Sequence, residues 1–380
     1  EKGLRSVWPS LAFMVSAVIS LGFGQFHWFP TNGASINSQI GGLMIMLLSF
    51  GIFLMMMFHL QHISSLHWVV GLFIALSGIY VVANLIPGIG PTIESRYTRI
   101  VDESMFWCWF AVIGFSQAAF NKSLKTPVRA LVAVLVLIAL YLAWFEKEGW
   151  TSGWLPMLAA LAICAIVARP KLVVPALIAV VVVLVLNSQK VSDVMMAGDN
   201  QYSLMTRLAA WKTLAQIAVA NPIFGLGPAN YYWYTMLFPI LGYNVVFNSH
   251  NNYVDIILQN GLVGLGLLFW FYFEIGREIF AAIREAPEGF ERSFLYSVFG
   301  GLGATIIAGM FGDWVLPFVY NIGMEGFRSS MLPWLFLGAG AAIARRILRA
   351  KRLAAQAASE QAAHGATLPK PLTQENLENA

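Results

Sequence analysis

The sequence predicts an all-α polytopic membrane protein, with about ten transmembrane helices and one large external loop that contains an amphipathic helix. Three observations carry that expectation. Of 380 residues, 58% are hydrophobic and only 11% charged, against roughly 25% charged in soluble domains. Mean hydropathy is +0.69. The apolar residues fall in runs of hydrocarbon length, and the longest polar interruption, 188–250, forms one block. The net charge of +4 and the pI near 9.0 come from Lys and Arg beside the apolar runs. That placement suits membrane lipid rather than nucleic acid, for which no module is visible.

Runs able to span a bilayer are expected at roughly 8–28, 40–60, 67–86, 104–121, 128–145, 152–168, 171–187, 251–273, 294–312 and 330–344. Their connections alternate in basic content. One set holds 16 Lys and Arg, from Lys2 and Arg5 through Lys122, Arg169 and Arg277 to the cluster after Arg345, and the other holds 7. The positive-inside rule then puts both termini in the cytoplasm and 188–250 outside. The expected organisation is N-terminal membrane helices over 1–187, an extracytoplasmic loop with an interfacial helix over 188–250, C-terminal membrane helices over 251–344, and a cytoplasmic tail over 345–380. The chain opens at Glu1 rather than Met, which fits a start inside a longer protein, and no cleavable signal pattern is visible.

Smaller features follow from local chemistry. Cys108 and Cys164 lie inside apolar runs and read as small packing residues rather than disulfide partners. Pro87, Gly88, Gly90 and Pro91 are expected to exclude a helix and to present Glu94, Arg96, Arg99, Asp102 and Glu103 at the membrane surface. The stretch 274–293, with five Glu and three Arg, reads as a solvated linker. The Ala-, Gln- and Glu-rich tail after Arg352 reads as frayed helix or disorder.

The polar block has its own order. Leu204, Leu208, Trp211, Ala215 and Ala218 recur at three- and four-residue steps, as in an amphipathic helix along the outer membrane face. Arg207 stands one turn before Trp211, so an indole at headgroup level would hold the guanidinium near lipid phosphates, although a snorkelling Arg has the same pattern. Asn221-Pro222 ends that helix, and Gly225, Gly227 and Pro228 force a turn whose backbone N–H groups can approach an anion. The turn lacks the Lys-Ser/Thr of a nucleotide P-loop. Tyr231-Tyr232-Trp233-Tyr234 suits an interfacial aromatic belt, or stacking on a sugar face.

Asn248 or Ser249 is expected to cap the next helix, leaving His250 in its first turn. There the helix dipole disfavours imidazolium, and a neutral imidazole can take a proton from an attacking hydroxyl. Asn251, Asp255 and Gln259 form a polar stripe at four-residue steps, which must face the bundle interior or a water-filled cavity. Asp255 is five residues from His250 and is not expected to orient it.

In this order, Arg207-x-x-x-Trp211, Asn221-Pro222-x-x-Gly225-x-Gly227, and His250-Asn251 opening a helix that continues to Asn260-Gly261-Leu262-Val263-Gly264 resemble the family of O-antigen ligases, Wzy-type polysaccharide polymerases and bacterial protein O-oligosaccharyltransferases. The resemblance is specific over 203–266. It implies a glycosyltransferase with no metal or other cofactor, acting at the external (periplasmic) face of the bacterial inner membrane. The implied donor is a glycan on undecaprenyl diphosphate, and the implied acceptor is a glycan, lipid A core or protein hydroxyl. By position, His250 would be the base and Arg207 a diphosphate clamp, with Trp211, Asn251, Gly225 and Gly227 beside the substrate. A guanidinium suits that role, since it contacts phosphate through two N–H groups and keeps its charge.

The additional family Arg at the start of an earlier span has no counterpart in Trp150-Thr151-Ser152-Gly153-Trp154. Lys147, Arg96 and Arg99 are the candidates for a second positive charge. A non-enzymatic alternative is a transporter of lipid-linked glycans, but no internal repeat is visible and the polar residues gather toward one face.

Overall fold

Lipid offers the backbone no hydrogen bonds, so an apolar chain at membrane depth must satisfy its N–H and C=O groups internally. The computed structural model describes residues 5–60, 62–97, 100–101, 103–146, 151–174, 178 and 198–366, and every regular element among them is a helix. These are α1 (Val7–Phe23), α2 (Ile36–His59), α3 (Ile63–Ala83), α4 (Ile89–Arg96), α5 (Ser104–Phe120), α6 (Thr126–Tyr141), α7 (Thr151–Ala168), α8 (Gly198–Ala218), α9 (Tyr231–Tyr234), α10 (Asn252–Glu285), α11 (Phe290–Phe311) and α12 (Phe327–Ala366). Five are long and apolar enough to cross a membrane, namely α2, α3, α10, α11 and the helix from Met324 that includes α12. The shorter apolar helices are α1, α5, α6 and α7. Each coincides with an expected span. The run expected at 171–187 lies almost wholly outside the described residues.

The core forms around α5, which is buried from Ser104 to Gly114 and packs against α6, α7 and α11. A second set, α1, α2, α10 and α12, is joined by aromatic contacts: Phe50 lies 4.6 Å from both Phe13 and Trp334, and Phe53 lies 4.8 Å from Phe271. Cys108 and Cys164 are buried and free, as packing residues should be.

The two ends differ in chemistry. Lys122–Glu288 (3.3 Å), Arg346–Glu291 (2.6 Å) and Lys351–Glu285 (2.5 Å) are ion pairs at the end that carries α12's basic segment. At the opposite end the loops are joined by neutral contacts, such as Ala34 N to Asn230 Oδ1 (2.8 Å) and Asn252 Nδ2 to the Leu316 carbonyl (2.7 Å). Connections assigned to one side by the basic-residue count therefore gather at one end.

Several expectations are corrected. The 274–293 stretch is not a solvated linker, because α10 runs to Glu285 and α11 starts at Phe290. The Pro/Gly cluster does admit a helix. Gly88, at φ +83°, precedes α4, and Pro91 falls in its first turn, where a missing N–H costs no helical bond. The tail continues as helix to Ala366. On α8 the positions buried within the protein are Ala210, Thr213, Leu214 and Ile217, a face that the apolar spacing did not single out, and Leu208, expected to meet the membrane, is half exposed.

The feature that positions the site is a break in α10. Gly261 has φ +70° and ψ −173°, a conformation open essentially to glycine alone. The groups that lose helical partners there find others in the Asn221–Pro228 turn and in α1. Leu262 N donates to the Pro222 carbonyl (2.8 Å), Val263 N to that of Ile223 (3.1 Å), and Leu226 N to that of Leu258 (2.8 Å). Ser20 Oγ donates to the Gln259 carbonyl, and Asn260 Nδ2 to Ser16 Oγ (3.1 Å). Turn and broken helix thus form one interlocked unit.

Candidate active site

The glycines of the turn also serve this interlock. A Cβ on Gly225 would stand 2.5 Å from the Gln259 carbonyl carbon, and one on Gly227 would stand 2.3 Å from Gly24 Cα. The turn is closed by Asn221, whose Nδ2 donates to the Gly225 carbonyl (2.7 Å) while Gly225 N donates back to the Asn221 carbonyl (3.0 Å). Ala229 N donates to Gln259 Oε1 (3.0 Å), which fixes the turn against the polar stripe. All three stripe residues, Asn251, Asp255 and Gln259, are buried. Tyr231 and Tyr234 are also buried, in a cluster with Leu214, Ile217, Leu226 and Phe318, and so are not part of an interfacial belt.

The loop ahead of α10 is built around Ser249. Its carbonyl accepts from Trp211 Nε1 (2.8 Å), its N–H donates to the Tyr231 hydroxyl (3.3 Å), and its Oγ donates to Asp255 (2.7 Å). The Tyr231 hydroxyl donates to the same Asp255 oxygen. The cap is Asn251, not Asn248 or Ser249: its Oδ1 accepts from Tyr253 N (2.9 Å) and Val254 N (3.3 Å), and its Nδ2 donates to the Met310 carbonyl (3.2 Å). Both ends of the Asn251 amide are thus engaged within the protein. His250 therefore precedes the cap rather than lying in the first turn, and it is held at φ +48°, outside the usual range for a side-chain-bearing residue. The bonds to Ser249 and Asn251 on either side hold that strained conformation, with His250 open to solvent on one side and partly desolvated on the other.

Trp211 is thus a strut between α8 and the His250 loop rather than a headgroup anchor. Trp211→Phe deletes one neutral hydrogen bond and keeps most of the ring. The expected result is a stability loss of about 1 kcal/mol, read as a lower unfolding midpoint, and an unchanged midpoint would remove the strut.

One turn earlier, Arg207 Nη1 donates to the Phe311 carbonyl (3.3 Å) at the end of α11. Among the described residues Arg207 makes no ion pair, and partial burial lowers its pKa from the ordinary value. The adjoining corner supplies Asp313, which sequence reasoning missed. This carboxylate is 1% exposed and accepts from Phe318 N (2.9 Å) and Asn321 Nδ2 (2.9 Å). Burial raises its pKa, while the neighbouring His250 opposes the rise. The His250 pKa is lowered, first by desolvation and then by the Arg207 charge, with Asp313 pulling the other way. The mouth thus joins an imidazole with a lowered pKa, a guanidinium without an ion-pair partner among the described residues, and a buried carboxylate. The only sequence sign of Asp313 is a single acid at the end of an apolar run, in Gly312-Asp313-Trp314.

The structure shows no hydrogen bond or ion pair from Arg96, exposed at the end of α4, to this mouth. Arg99 and Lys147 lie outside the described residues. Also among those residues, no group of three or more His, Cys, Asp or Glu side chains is arranged to hold a metal ion.

None of the curated proteins matches the chain significantly. Residues 126–269 of this polytopic membrane protein match the family model described as O-antigen ligase, a stretch running from α6 through the interlocked turn and the break in α10.

Proposed function

We propose that the chain is an O-antigen-ligase-like glycosyltransferase that moves a glycan from undecaprenyl diphosphate to an acceptor hydroxyl at the external face of the bacterial inner membrane. The observation that carries this reading is the meeting of His250 and Arg207 at one corner, within electrostatic reach of each other. In the proposed reaction the acceptor O–H gives its proton to His250 as its oxygen attacks the anomeric carbon. The bond from that carbon to the diphosphate oxygen breaks, and the charge that grows on the leaving group is met by Arg207. A guanidinium suits that role, since it can offer phosphate oxygens two N–H groups in parallel. Asp313 acts through His250, as a positioning residue that stabilises imidazolium when it forms. In this reading Arg96 and Arg99 supply the second positive charge toward the donor.

The test is transfer from a defined polyprenyl-diphosphate glycan, in separate reactions, to lipid A core, to a growing glycan and to a protein acceptor. Label on the first supports a ligase, on the second a polymerase, and on the third a protein O-oligosaccharyltransferase; label on none overturns the reading. Arg207→Ala is expected to lower kcat/KM for the lipid-linked donor about a hundredfold, with the acceptor KM unchanged. Unaltered donor dependence would remove Arg207 from the site.

A further inference from the structure

A cleft opens between the α1–α2 connection and the Asn230–Tyr234 segment, at the end of the molecule that carries His250. Its outer part is a shallow surface depression formed by residues 27–32 alone, and the adjoining recess of about 210 Å³ reaches Gln25, Gln39, Asn230 and Tyr234. His27, Thr31 and Asn32 line both, which makes them one continuous space.

The lining restricts what can bind. Among the described residues, no Lys, Arg, Asp or Glu borders either part, so the lining offers an anionic or cationic ligand no opposite charge. The back wall is fixed by a chain of neutral hydrogen bonds. Gln25 Nε2 donates to Gln39 Oε1 (2.8 Å), Gln39 Nε2 to the Ala34 carbonyl (2.9 Å), and Ala34 N to Asn230 Oδ1 (2.8 Å). Asn230 Nδ2 then donates to the carbonyls of Gly24 (2.9 Å) and Leu226 (2.8 Å), which ties the wall to the interlocked turn. His27, Thr31 and Asn32, whose side chains make no hydrogen bond among the described residues, line the cleft with donors and acceptors. Aromatic rings stand among them: Phe29 packs 4.8 Å from Tyr234, and Trp28 commits its N–H to the Phe23 carbonyl (2.9 Å), leaving its ring for contact.

We infer that this cleft is a subsite for an uncharged sugar residue. A pyranose has a hydroxyl edge, which needs mixed donors and acceptors, and a C–H face, which suits an aromatic wall. An acyl chain would instead strip water from Thr31, Asn32 and His27 without replacing its hydrogen bonds. The ligand chemistry follows from the lining alone. Whether the sugar belongs to donor or acceptor rests on the proposed function.

The test uses the full chain in detergent and, as probe, the oligosaccharides released by mild acid from the lipid-linked pool of the cells that make it. Saturation transfer from protein to sugar protons is expected with the native chain. It should disappear with Asn32→Trp, which fills the mouth, and weaken about fivefold with His27→Ala, which removes one polar partner and leaves the space. No transfer to the native chain, or equal transfer with both variants, overturns the subsite. This readout needs no turnover, so it stands apart from the fate of the transferase assignment. In the transfer assay a raised donor KM in these variants assigns the sugar to the donor, and a raised acceptor KM assigns it to the acceptor. Unchanged values for both overturn the subsite.

Discussion

Replacing His250 by Ala is expected to lower the transfer rate about 10²- to 10⁴-fold, the range for a lost general base, while the chain still inserts and keeps its unfolding midpoint. The second half of that expectation follows from the geometry. The bonds that hold the loop go to the backbone and side chains of Ser249 and Asn251, not to the imidazole. Removing the ring therefore costs chemistry rather than fold, and transfer at the native rate would sink the base assignment. The pH profile is a second readout. The neutral imidazole is the active form, and desolvation and Arg207 hold its pKa below the ordinary value, which is about 6.5. Activity should accordingly be full above that range and fall only at lower pH, as imidazolium forms. Asp313 is the one named neighbour that favours imidazolium. Asp313→Asn should thus move the acid limb to still lower pH while reducing the plateau rate. A limb displaced upward, or one that does not move, would remove Asp313 from the base.

The largest effect on stability is expected at Gly261, far from any titrating group. A Cβ there would stand 2.1 Å from the Ile223 carbonyl oxygen, and the residue is already at φ +70°. A non-glycine residue in that region costs on the order of 1–3 kcal/mol, and the clash pushes the turn out of the break. Gly261→Ala is expected to abolish monodisperse protein or to lower the unfolding midpoint well beyond any helix-propensity effect. Gly266 lies further along the same helix with nothing near its missing Cβ. Alanine there is expected to be neutral or stabilising by about 0.5–1 kcal/mol. Equal midpoints for the two variants would mean that the interlock contributes little.

Much of the architecture was legible because most membrane helices are long apolar runs, and such a run needs no tertiary information to be recognised. The positions of Arg207 and His250 were legible as well, since both lie in the one polar block of the chain. What sits against them was not. On α8 the series through Leu208 and Ala215 and the series through Ala210, Leu214 and Ile217 both satisfy helical spacing, and only the packing partner chooses between them. Asp313 follows His250 by 63 positions and reaches it only because α11 returns the chain to the same end. The packing role of the motif glycines was illegible for a related reason. A glycine needed for close backbone approach is indistinguishable in sequence from one that bares N–H groups to a ligand, and here the partner is α10 itself.

The break in α10 also bears on how the protein is made. A helix interrupted at membrane depth exposes backbone groups that lipid cannot satisfy, at several kcal/mol each. Ser20, Pro222, Ile223 and Leu226, which relieve them, all precede α10 in the chain. When α10 leaves the ribosome its partners have already been synthesised, and the break can be closed as it enters the bilayer. Direction of synthesis thus spares the broken helix a period alone in lipid, a protection that the reverse order of segments would not provide.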